Sequence, residues 1–116
     1  MSKYQQIRVR VEPVYPKGLA KDFPKLHRLL AGFDNRLLTT ESPPLNDLAP
    51  LLVDVSQATD LDPAVERAVE TQGQRILDLH RKIHQALGGW KLSAAETMLN
   101  DLEDAFAELE KALPQP

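Results

Sequence analysis

Residues 62–113, DPAVERAVETQGQRILDLHRKIHQALGGWKLSAAETMLNDLEDAFAELEKAL, decide the fold. Val65, Val69, Gln72, Ile76, Leu79, Ile83 and Ala86 recur at alternating spacings of four and three. Past Gly88-Gly89 the same rhythm resumes with Ala95, Leu99, Leu102, Phe106, Leu109 and Leu113. Such spacing puts one apolar stripe along each of two helices. Asp62-Pro63 supplies a cap and a proline suited to the first helical position. Ser93 with Glu96 has the form of a capping box for the second helix. The reading is an antiparallel helical hairpin, about 63–88 and 94–113, turning on the glycine pair.

A turn centred near Trp90 sets Ile83 level with Met98–Leu99, Leu79 with Leu102, Ile76 with Phe106, and Gln72 near Leu109. Met98, Ala105 and Ala112 widen the stripe on one flank of the second helix, so a third element is expected there. The helix expected over 23–39, begun by Pro24 and carrying Leu26, Leu29, Leu30, Phe33 and Leu37, is the candidate. The other flank, Glu96, Glu103 and Glu110, is expected to be wet. Two helices make a thin core, so the expected fold class is mainly α, with the hairpin inside a three- or four-helix bundle.

Residues 45–58 are ambiguous. Leu45, Leu48, Leu52 and Val55 suit a helix that Pro50 would kink, whereas LLVDV at 51–55 also reads as a short strand. The start of the chain alternates differently: Ile7, Val9 and Val11 on one side, Arg8 and Arg10 on the other. This is a half-buried strand of period two, about 6–12, ended by Pro13. It makes residues 1–17 an extended arm on a single domain, 1–116. A lone strand needs a partner for its backbone; the choices are LLVDV, the same segment of a second copy, or another protein's sheet edge.

Composition narrows the classes. Among 116 residues there are six aromatics and no cysteine, which excludes disulfides, thiolate metal sites and a cysteine nucleophile. No apolar run approaches the roughly 20 residues of a membrane span, and MSKYQQIRVRVE lacks the pattern of a signal peptide. A cytoplasmic protein is the expectation. Residues 1–40 carry eight Lys/Arg against three acids, and residues 41–116 six against fourteen.

Few residues suggest chemistry. His80 and His84 are four apart and share a helix side, a spacing at which imidazoles can bind one metal. HRKIH lacks the glutamate of a zinc-protease motif and carries Arg81 and Lys82 there instead; no spacing specifies a third ligand from Glu103, Asp101 or His27. The plainer reading sets His80 beside the seam opposite Glu103, with His84 in solvent. Gln72 in a seam of aliphatics is a register or partner-choice residue. Trp90 is either an end cap over Leu87 and Leu92 or an exposed anchor. QALGGW at 85–90 resembles a short run of outer-membrane efflux channel proteins, but six residues carry no function across.

The expected function is a non-enzymatic protein–protein interaction module or accessory subunit, without cofactor. A homodimer is expected, through the helical seams or the strand, with Ile7, Arg8, Val9, Arg10, Val11, Gln72 and Trp90 as interaction residues. The alternatives are a nucleic-acid accessory protein using the basic first 40 residues and a metal-dependent site at His80 and His84.

Overall fold

The computed structural model describes residues 18–32, 43–58 and 61–114. Its elements are α1 (Leu19–Asp22), α2 (Pro24–Ala31), α3 (Leu45–Leu48), α4 (Leu51–Ser56), α5 (Pro63–Gly88) and α6 (Leu92–Ala112). The protein is mainly helical, and α5 packs along α6 as the antiparallel hairpin. The strand expected over about 6–12, with Ile7, Arg8, Val9, Arg10 and Val11, lies outside the described residues, as does the part beyond Gly32 of the helix expected over 23–39.

The start of α5 follows its sequence. Asp62 Oδ1 accepts the Ala64 N–H at 2.8 Å, and Pro63, which has no N–H to satisfy, takes the first position. Twenty-six residues at about 1.5 Å each make a rod about 39 Å long, which sets the long dimension of a 52 × 25 × 25 Å body. On α6, Ala95, Leu102, Ala105, Phe106, Leu109 and the following Leu113 are buried; on α5, Ala68, Val69, Gly73, Ile76, Ile83 and Ala86 are. Burying a side chain such as Phe106 or Ile76 is worth about 1.5–3 kcal/mol each, so this seam is the principal source of stability.

Three expectations change. The seam crosses Gly73 rather than Gln72: Gly73 is buried and Gln72 only half-buried, because a helical repeat of 3.6 drifts against a strict heptad over so long a rod. The Ser93–Glu96 capping box does not form. The second helix starts earlier, at Leu92, after Lys91, and has no side-chain cap; Ser93 is already inside it, its carbonyl accepting from Thr97 Oγ1. Finally, 45–58 forms two short helices, Leu45–Leu48, closed by Ala49, and Leu51–Ser56, opened by Pro50. LLVDV is therefore α4, which removes it as a strand partner.

Four short helices pack on the hairpin: α4 meets α5, α2 and α3 meet α6, and α1 adjoins α2. Leu19, Leu26, Leu30, Leu48, Leu52 and Val55 join the hairpin residues in one core. The flank of α6 expected to be wet is wet only in part. Glu96 and Glu103 are exposed, but Glu110 reaches α2, where its carboxylate accepts the N–H of Leu26 at 2.9 Å and of Lys25 at 3.3 Å. The reason is local: Phe23 offers no capping side chain and Pro24 no N–H, so the free amides of α2 take an acceptor from across the core.

Candidate functional site

Helix α5 ends in a backbone motif that determines what the hairpin tip presents. Lys91 N–H reaches back to the Ala86 carbonyl at 2.8 Å, and Trp90 N–H to Leu87 at 3.2 Å. This is a Schellman closure, whose pivot residue must be left-handed. Glycine is the usual occupant, and two glycines stand just before it, yet the pivot is Trp90, with φ at 59°. A side chain with a Cβ costs roughly 1–2 kcal/mol in that region.

The indole is not buried in exchange and stays mostly in water. Trp90 is 56% exposed and Leu92 47%, the two exposed large hydrophobic residues of the described chain. The end-cap reading of Trp90 is thereby overturned: it does not seal Leu92, and Leu87 stays half-buried. Near Trp90, the turn carries exposed Lys91 and the first turns of α6 carry exposed Glu96; exposed Arg81 and Lys82 lie further down α5, level with the histidines, and exposed Asp101 further along α6.

The histidines lie about two turns below. His80 Nδ1 is 2.8 Å from Asn46 Oδ1 on α3, and His80 and His84 meet edge to face, with centroids 4.8 Å apart. Instead of lying opposite Glu103, His80 meets Asn46, which α3, packed on α6, brings beside it. Asn46, 6% exposed, is the buried polar residue of the described core, and it needs a hydrogen bond to be there. Burial, then the neighbouring His84, holds the His80 imidazole below its ordinary 6.5, against smaller upward pulls from Asn46 and Asp47. His84 is exposed, as expected. Among the described residues no group of three or more potential metal ligands forms.

Gln72 stands at the edge of the seam, well removed along α5 from Trp90. Of the basic residues considered for nucleic acid, Lys25 is committed internally, its Nζ donating to the Leu113 carbonyl at 2.9 Å; Lys21 and Arg28 are exposed. No helix of the described residues is long and apolar enough to cross a membrane.

Two residues escaped the sequence reading, Asn46 and Glu110. Neither has a motif, but α2 gave an indirect signal: a helix opening on Phe-Pro lacks a local cap and must find an acceptor elsewhere. Comparison with family models, with curated proteins and with solved structures gives no match to this chain.

Proposed function

We propose that this protein is a non-enzymatic interaction module that docks through the tip of its α5–α6 hairpin, and that a second copy of the chain is the partner. One observation carries the reading: Trp90 occupies a left-handed pivot where glycine would be cheaper, and its indole faces water. Strain at an exposed aromatic is a reason to look for function, and tryptophan is enriched among residues that dominate binding energy. Leu92 extends the apolar contact. Lys91 in the turn and Glu96 near the start of α6, both exposed, give the tip charges of both signs, so two tips related by a twofold axis can set basic against acidic. The absence of cysteine in the sequence is in keeping with a reducing compartment.

Sedimentation velocity over a concentration series tests this. Wild-type protein is expected to pass from monomer to dimer, with the emission of its single tryptophan shifting to the blue as the indole is covered. Leu92→Asp is expected to remain monomeric. A wild-type protein that stays monomeric at every concentration, with the emission of a solvated indole, overturns the proposal.

A further inference from the structure

The placement of Asn46 has a second consequence, independent of the tip. Its side-chain oxygen can only accept, so the 2.8 Å contact requires His80 Nδ1 to carry the proton. That leaves Nε2 with the lone pair, on the side of the ring away from α3. Metal-binding histidines are commonly held in this way, one ring nitrogen donating to a carbonyl or carboxylate while the other faces the ion. One turn on, at the i+4 position, His84 is exposed, and its ring lies 4.8 Å from that of His80. The rings now meet edge to face, 77° between planes, and the exposed His84 side chain is the one whose rotation would bring a second ring nitrogen toward the same ion.

We infer that His80 and His84 form a two-imidazole clamp for a first-row divalent transition ion, with Asn46 as the residue that orients it. The neighbouring cations do not block it. Arg81 is turned toward Asp78, 3.9 Å away, and Lys82, two residues from each histidine, projects from another side of the helix. Two imidazoles leave the remaining positions of the ion to water. Nitrogen ligands favour copper(II) over nickel(II) and zinc(II) in the usual order, so copper(II) is the strongest binder of this site.

The test is copper(II) titration of the full chain at neutral pH, by calorimetry and by the spin-resonance signature of nitrogen ligation. One ion per chain is expected, with weaker zinc(II) binding at the same place. His84→Ala, an exposed change that leaves the fold intact, should weaken copper about tenfold or more, and Asn46→Ala about 10–100-fold. His27→Ala, remote in sequence, should change nothing. If Asn46→Ala unfolds the protein, the His84→Ala and His27→Ala pair still decides. Binding unaffected by His84→Ala, or lost with His27→Ala, overturns the assignment.

Discussion

Removing the carboxylate of Glu110 should destabilise this protein more than removing any other acid on the same flank of α6. Its oxygens accept the N–H groups of Leu26 and Lys25 at 2.9 and 3.3 Å, and α2 has no capping side chain of its own. A hydrogen bond to a charged group is worth about 1.5–3 kcal/mol, and loss of a helix cap about 0.5–2 kcal/mol. Glu110 is half-buried, so water regains part of the loss. The expected cost of Glu110→Ala is therefore about 2 kcal/mol. For a chain of this length that lowers Tm by about 8 °C, measured by circular dichroism in parallel with denaturant titration. Glu110→Gln keeps an acceptor without the charge and should lose about 1 kcal/mol. Glu103→Ala, on the same flank but exposed, should stay within about 0.5 kcal/mol of wild type. Equal effects of Glu110→Ala and Glu103→Ala would refute the cross-core cap.

Two further outcomes follow from the same geometry. Gly73→Ala should raise stability by about 0.5–1 kcal/mol in denaturant titration, since the added Cβ would meet only Val69 Cγ1, at 3.8 Å; a loss would mean that another backbone needs that space. With the pKa of His80 lowered in the folded state by burial and by His84, the folded protein resists a proton that the unfolded chain accepts. Stability is then full above the ordinary 6.5 and falls as pH drops through it. In chelator-treated protein Tm should be lower near pH 5.5 than near pH 7.5, and His80→Gln should flatten that slope; an unchanged slope would contradict the burial of a neutral imidazole.

The hairpin was legible because each helix repeats its apolar spacing for six or seven positions, and tertiary packing acts along that same stripe. Where local chemistry had to be weighed against the rest of the fold, the reading failed. Ser93 and Glu96 have the right spacing for a capping box, yet the Schellman closure at Trp90 delivers the chain into α6 two residues earlier, so Leu92 begins the helix. Gln72 has the right heptad phase, yet the slow rotation of α5 brings Gly73 inward. Asn46 and Glu110 act between elements far apart in sequence, 34 residues for His80 with Asn46 and 84 for Leu26 with Glu110. A local pattern holds no record of such pairings. Trp90 stands out in the sequence, but no pattern there shows that it, rather than one of the two glycines just before it, takes the left-handed pivot.

The most direct test is Trp90→Gly, read in two ways on one sample. Glycine relieves the left-handed pivot, so folding stability should rise by about 1 kcal/mol, or about 4 °C in Tm. The same change deletes the docking residue, so self-association should weaken by about 30-fold or more, the equivalent of about 2 kcal/mol. A more stable protein that no longer associates is the predicted result. A fall in Tm would show that the indole seals the end of the hairpin after all, and undiminished association would show that the tip is not the docking surface.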